Sequence, residues 1–523
     1  MTPNPHVGII GAGISGLRCA DILIQNGARV TILEARDRIG GRVHQSTVGD
    51  HVVDLGPNWI HGSGENPIMT IAEETGSAMY DAECGGNIAF SRDGDLINEE
   101  TSAKVQDFVW TTIAEAFQYS NQHGETIPVE KSLFDFFCER IEHTSFSDEE
   151  KQLCLDSCRL WGAYVGDQID KQSLKFFRLE ECVDGSNFVV ASTYKAILNH
   201  ISKTALEKAD IHLNEPVTNI TAPPRNKSPC TQVTVTTRHG KSYAFDEVVV
   251  TCPLGWLKQN TTAFTPPLPP RLQQAIANIS YGRLEKVYVT FPRAFWHTEQ
   301  DQKDNTSTST GITTQTKPQN KHTNPVFVQF LEPSYAPHPA NIEWNQECLS
   351  FAALPSPHAH PTLLFYTYGS SGTEIVNSIS HLHPSSPEYK AKLVETLHPY
   401  YSRLPGYDAE DAGCVPTAVL ATQWQKDEYA GHGSYCNFQV GVKEADKDIE
   451  VMRCGDGIGR ERGLWFAGEH TAPFVALGTT TGAFWSGERV AKAVCERLGL
   501  RGVGGLGVRD DSLPSIGGWS ARG

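Results

Sequence analysis

The chain reads as an α/β protein, and three observations predict it. A short apolar strand at residues 7–10 passes through Gly11-Ala-Gly13-Ile-Ser-Gly16 into a helix beginning near Ile14. A second strand, Val30–Leu33, ends on Glu34. A further strand and a glycine-rich helix start return only near the far end, between Leu464 and Gly487. A βαβ unit at the start and its completing elements at the end enclose everything between them. The predicted fold is therefore a Rossmann-type nucleotide-binding domain with a sheet-and-helix domain inserted in it. The first domain takes residues 1–88, 205–290 and 408–498, and the second takes 89–204 and 291–407.

The elements follow in order. After the βαβ unit, a polar stretch over about 95–200 carries helical apolar spacings such as Phe108, Ile113 and Phe117. Strand patterns return at Gln232–Thr237, Glu247–Thr251 and Lys286–Phe291. Residues 298–324 are rich in Thr, Gln, Asn and Lys with almost no apolar side chains, which predicts a mobile surface insertion. Further strands are expected at Val326–Phe330, Leu349–Ala353 and Leu363–Tyr368, then a helix at Pro387–Leu397. Residues 499–523 read as a loose Gly/Ser tail.

Composition narrows the function. Forty-four Lys and Arg against 61 Asp and Glu leave a formal charge of −17 over 523 residues, without a basic cluster. That excludes a nucleic-acid partner and suits a cationic ligand drawn in by long-range steering. The N-terminus has no basic n-region before its glycine-broken apolar stretch, and no run approaches the roughly 18 apolar residues of a membrane span. Thirteen cysteines, an odd number, form no disulfide framework. Ser520-Ala-Arg-Gly is not a peroxisomal tripeptide. The expectation is a cytoplasmic protein with no membrane partner; its oligomeric state is not legible. The pairs His358/His360 and His381/His383 lie beside prolines with no acid or cysteine cluster, so no metal site is expected.

Chemistry concentrates at the two ends. Gly11 permits a tight turn, Gly13 lets backbone approach a pyrophosphate, and Gly16 allows close helix–strand packing at a helix N-terminus. Glu34 is placed to accept hydrogen bonds from ribose hydroxyls and disfavours a 2′-phosphate, which argues against NADP. Glu34-Ala35-Arg36-Asp-Arg-Ile-Gly40-Gly41-Arg42 then adds a glycine pair and an arginine able to reach phosphate oxygens.

With these residues the chain resembles the FAD-dependent amine oxidase superfamily, and most closely its polyamine oxidases. The segments Phe466-Ala-Gly468-Glu469 and Gly478-Thr479-Thr480-Thr481-Gly482 agree with it. So do Gly56-Pro57-Asn58-Trp59-Ile60-His61-Gly62 and the Thr422-Gln-Trp424 to Gly433-Ser434-Tyr435 stretch. The resemblance implies non-covalent FAD, held by Gly11, Gly13, Ser15, Gly16, Glu34, Ala35, Arg36, Gly41, Arg42, Gly56, Pro57, Asn58, Trp59, Val217, Trp424, Gly468, Glu469, Thr479 and Thr480. Glu469 would meet the ribityl chain, Val217 the adenine and Trp424 the dimethylbenzene edge. The final helix would aim its N-terminus at the flavin O2. Catalysis would fall to Lys286, holding a water near flavin N5, to His61 in the substrate tunnel, and to Tyr435 with Thr479 as the walls of an amine cage. Several relatives have tyrosine where Thr479 stands. Ser434 occupies the position from which monoamine oxidases attach their flavin through cysteine, and Cys436 would face away.

The implied reaction oxidises a small cationic amine, a spermine, spermidine or acetylated polyamine, with oxygen, giving an aldehyde, a shorter amine and hydrogen peroxide. Asp167, Asp170, Glu180 and Asp184 are the acids able to anchor a distal amine. Three other readings stand beside it. An L-amino-acid oxidase would need a cationic clamp for a carboxylate, which the sequence does not identify. A histone demethylase would need a long helical insertion and an added domain, for which the sequence leaves no room. A flavin-stabilised scaffold would leave Lys286, His61 and Tyr435 without a task.

Overall fold

The N-terminal βαβ unit forms where its sequence places it. In the computed structural model, which describes residues 4–82, 85–225, 232–297, 325–339 and 342–500, the strand His6–Ile10 pairs parallel with Arg29–Leu33 across the helix Ile14–Gln25. Three more parallel strands, from three distant parts of the chain, complete the sheet. Its order is Leu464–Phe466, Glu247–Val250, His6–Ile10, Arg29–Leu33, Asp210–His212. The inner strands read as unbroken apolar runs because both faces are covered. The helices Ile14–Gln25, Lys195–Lys208 and Thr480–Leu498 pack together over one of them.

A mixed six-stranded sheet forms the second layer, in the order Ala418–Ala421, Glu285–Thr290, Thr362–Thr367, Gln346–Ser350, Pro325–Phe330, Gly86–Phe90. All its pairings are antiparallel except the last. Two of its strands, Glu285–Thr290 and Ala418–Ala421, come from segments that the sequence reading assigns to the nucleotide-binding domain, and the helix Lys195–Lys208 packs on the other layer. The polar stretch yields the helices Glu99–His123, Leu133–Ile141 and Asp148–Cys158 around their own apolar cluster. Capping boxes at Ser132/Asp135 and Ser147/Glu150 fix two of the helix starts.

One strand sits elsewhere than expected. In place of Leu349–Ala353 the chain is extended over Gln346–Ser350, and Phe351–Ala353 forms a turn of 3₁₀-helix. The polar Gln346 and Glu347 hide the strand's beginning from an apolar-run reading. The insertion 298–324 and the tail beyond Leu500 lie outside the described residues.

Candidate active site

The glycine turn builds a cradle. Gly11 adopts φ +105°, with its N–H donating to Leu33 O at 2.9 Å, and a Cβ there would come within 2.7 Å of Thr251 Oγ1. Gly16 has no room either, since a Cβ would lie 2.2 Å from Gly11 O. Gly13 differs. It caps the first helix without a side-chain hydrogen bond, and a Cβ on it would meet nothing within 4 Å. Across the gap, a Cβ on Gly41 would meet only Gly13 Cα at 3.5 Å. The open space therefore lies directly over the free N–H groups of a helix N-terminus, where a pyrophosphate is stabilised. Glu34, 5% exposed, accepts from Ala12 N at 2.7 Å and Arg36 N at 2.9 Å, which aims its carboxylate across the turn with lone pairs to spare. Asn214 and Glu215 donate to Arg36 O and Glu34 O, which brings Val217 alongside this acid.

The far end of the chain closes on the same place. Arg42 Nη1 donates to Glu469 Oε1 at 2.9 Å, Ser434 O at 2.5 Å and Tyr281 OH at 3.2 Å. The start of the last helix, Thr480–Leu498, is tied down by Thr481 Oγ1 donating to Asn66 Oδ1 at 2.9 Å. Thr480 Oγ1 lies 3.4 Å from the hydroxyl of Tyr194, which also bonds Trp59 O. Trp424 Nε1 reaches Leu55 O at 3.3 Å, so Trp424 stands against the Gly56 turn. These groups fit a dinucleotide: the Gly13 turn would hold its phosphates, and residues 56–59 would line the place for its far ring.

Lys286 is the central cation. It is 5% exposed, and its Nζ donates to Gly56 O, Asn58 Oδ1 and, at 3.4 Å, Asp54 O. All three acceptors are uncharged, so burial pushes the ammonium well below its ordinary range, while the nearby Asp54 carboxyl pulls the other way. Burial pushes Asp54 upward in turn, against Gln45 Nε2 at 2.6 Å, the Lys286 charge and Tyr194 N at 2.9 Å. His61 is kept neutral by burial, with Nδ1 3.3 Å from Asn187 Oδ1. Tyr435 donates to Tyr164 O at 2.6 Å, and a Cβ on Gly478 would touch its ring at 3.3 Å.

Several named residues use their side chains otherwise. The Ser15 hydroxyl pairs with Ser486 Oγ at 3.0 Å. Arg36 Nη2 donates to both carboxylate oxygens of Asp427 at 2.9 Å, its guanidinium 5.5 Å over the Tyr429 ring. Thr479 caps the last helix, accepting from Gly482 N at 3.0 Å and donating to Ala476 O at 2.7 Å. Ala35 and Pro57 are half-buried turn residues beside Glu34 and Gly56. Of the four candidate acids, Asp167 is neutralised by Arg283 at 2.9 Å and Lys171 at 3.0 Å, and Asp170 and Asp184 are exposed. Glu180 alone is half-buried with one oxygen unpartnered, and it lies within electrostatic reach of Tyr435.

Sequence reasoning missed Asp54 and Glu285. Glu285 accepts from Thr422 Oγ1 at 2.5 Å, Trp424 N at 3.0 Å and Gln425 N at 2.9 Å, and so shapes the turn that presents Trp424. Glu285 stands directly before Lys286 in a strand, and nothing local in the sequence marks it as buried.

The chain matches the family model "Flavin containing amine oxidoreductase" over residues 14–495. It belongs to that family. Its cofactor is FAD, and the cradle at Gly13 and Gly41 fits one. "Probable polyamine oxidase 4" of Arabidopsis thaliana is 30% identical over 515 aligned residues, covering 95% of this chain and 89% of that protein. "Polyamine oxidase 4" of Oryza sativa subsp. japonica is 31% identical over 306 residues, 56% of this chain and 60% of its own length. "Lysine-specific histone demethylase 2" of Homo sapiens is 28% identical over 302 residues, 35% of its length. A solved putrescine oxidase redesigned in its cofactor binding superposes with a TM-score of 0.64 at 19% identity, covering 94% of this chain and 99% of that one, which shows the two-domain α/β fold. Among the described residues no helix is long and apolar enough to cross a membrane.

Proposed function

We propose that the protein is an oxidase of polyamines that binds FAD without a covalent link. The observation that carries it is the buried Lys286 amine held on Gly56, Asn58 and Asp54, in a chain that also sets the half-buried carboxyl of Glu180 within electrostatic reach of Tyr435. When bound, FAD supplies the acceptor for hydride from the carbon beside an amine, and oxygen returns it to the oxidised form as hydrogen peroxide. The chain's own residues do the rest. Tyr435 offers a ring face to the amine, and Glu180, raised by burial to about 8, ionises when an ammonium comes to rest beside it. Neutral His61 offers a ring nitrogen to the substrate, and Lys286, its acidity increased by burial against the pull of Asp54, orders water at the reacting face. The imine released takes up water to give an aldehyde and a shorter amine. Non-covalent binding is supported by Cys436, whose thiol burial and the neighbouring Glu469 hold protonated and unreactive.

A peroxide-coupled screen tests the reading with spermine, spermidine, their acetylated forms, tyramine, L-amino acids and a methyl-lysine peptide. Polyamines should give the highest kcat/KM. No peroxide and no anaerobic flavin bleaching with any polyamine refutes it, and turnover of the peptide alone moves the protein to the demethylase side of the family. Acid precipitation should leave yellow flavin in the supernatant; flavin retained in the pellet contradicts non-covalent binding.

A further inference from the structure

Glu285 and Lys286 are neighbours on one strand, so their side chains leave it by opposite faces. Lys286 reaches the candidate active site. Glu285, 1% exposed, reaches the other way, and its carboxyl gathers the 422–425 turn. Its Oε2 accepts from Thr422 Oγ1 at 2.5 Å and Trp424 N at 3.0 Å, and its Oε1 from Gln425 N at 2.9 Å. The same Thr422 grips the lysine's backbone. Its Oγ1 accepts from Lys286 N and its N–H donates to Lys286 O, both at 2.9 Å.

The two side chains meet again on the far side. Lys286 Nζ donates to Gly56 O, and Trp424 Nε1 donates to the adjoining Leu55 O at 3.3 Å. The hydrogen bonds thus close into a ring, from Glu285 through Thr422, Lys286, the 55–56 turn and Trp424 back to Glu285. Every group facing the Glu285 carboxyl is a donor. Two are backbone N–H groups, and the Thr422 hydroxyl already accepts from Lys286 N, so its proton goes to Glu285. An ionised carboxylate, which only accepts, is the form that fits; a glutamine amide would set an NH2 group against one of these donors. Among the described residues no cation pairs with Glu285, and a buried acid without a cation is a costly way to fill space.

We propose that Glu285 is a positioning residue that holds Lys286 and Trp424 in one fixed relation, from the opposite face of the strand. The proposal rests on Lys286 and Trp424 lying against the flavin, and it names what couples them.

The test is Glu285→Gln in the FAD-loaded protein, with Thr422→Val and Thr422→Ser beside it. Two readings are taken on each variant. One is the visible absorbance of the bound flavin, which responds to Trp424. The other is the stopped-flow rate at which oxygen reoxidises the reduced flavin, which responds to Lys286. Glu285→Gln and Thr422→Val should each alter the spectrum and slow reoxidation at least fivefold. The double variant should be no slower than the slower single, since both break one ring. Thr422→Ser keeps the hydroxyl and should stay within twofold of wild type. A Glu285→Gln protein that melts earlier yet keeps the wild-type value in either reading overturns the proposal, as do losses that multiply in the double variant. If Glu285→Gln does not fold, Thr422→Val against Thr422→Ser decides by the same two readings. Should Lys286→Met itself leave reoxidation unchanged, the reading of Lys286 has failed and not the ring, and the spectrum alone decides whether Glu285 holds Trp424.

Discussion

Replacing Gly13 with alanine separates the two jobs that glycines do in the first turn. Gly13 has φ −77° and ψ 177°, extended backbone that alanine adopts freely, and its added methyl would meet no atom within 4 Å. The fold without cofactor should therefore not suffer. A Gly→Ala change at a compatible position stabilises by about 0.4–1 kcal/mol through the unfolded chain, and the poorer N-cap gives back a similar amount, about 0.5–1 kcal/mol, so the two nearly cancel. The Tm of the cofactor-free protein should stay within about 2 °C of wild type. The methyl instead occupies the gap facing Gly41, where the pyrophosphate approaches the helix N-terminus. Losing one charge-assisted hydrogen bond there costs about 1.5–3 kcal/mol, a roughly 10- to 150-fold rise in the Kd for FAD. Gly16→Ala is the contrast, because its methyl would stand 2.2 Å from Gly11 O and must displace backbone. Titrating cofactor-free protein with FAD by flavin fluorescence, beside thermal unfolding of both variants, decides it. Wild-type FAD affinity in Gly13→Ala refutes the cradle. So does a loss of cofactor-free stability equal to that of Gly16→Ala.

Three further outcomes follow from the same geometry. Lys286→Met should slow the return of flavin absorbance on mixing reduced enzyme with oxygen at least tenfold, with FAD content unchanged; an unchanged stopped-flow rate refutes its role near the cofactor. Asp54→Asn removes the charge that holds the Lys286 proton on, so the pH at which that rate changes should move downward, and an upward or absent shift refutes the pairing. Thr479→Ala should cost about 0.5–2 kcal/mol of stability through the lost N-cap, read by denaturant midpoint at constant slope, and no loss would show that the Gly482 contact contributes nothing.

Legibility in the sequence tracked how local the cause was. The Gly11–Gly16 turn, Glu34 and the Thr480 helix start are fixed by short-range geometry, and each was readable from spacing. Lys286 was readable only through family resemblance, since a lysine near the start of a strand is ordinarily solvated. Asp54 and Glu285 were not readable, because an acid's burial depends on partners such as Tyr194 and Trp424, each more than a hundred residues away in sequence. The side chains of Ser15 and Arg36 turned to Ser486 and Asp427 for the same reason: the competing partner arrives from the other end of the chain.

That arrival has a consequence for how the protein is made. The first helix is sealed by the last: Ser15 bonds Ser486, Arg18 bonds Glu488, and a Cβ on Gly487 would strike Ser15 O at 2.3 Å. Synthesis from Gly11 to Ser486 at about 5–20 residues per second takes roughly half a minute to a minute and a half. Through that interval the nascent glycine turn has neither the helix that packs on it nor the Glu469 that holds Arg42, so the cradle is completed only as the chain's end is made. A chain cut before Thr480 lacks the Ser486 and Glu488 contacts of the first helix, so it should show lowered FAD content on purification, with full occupancy refuting the seal.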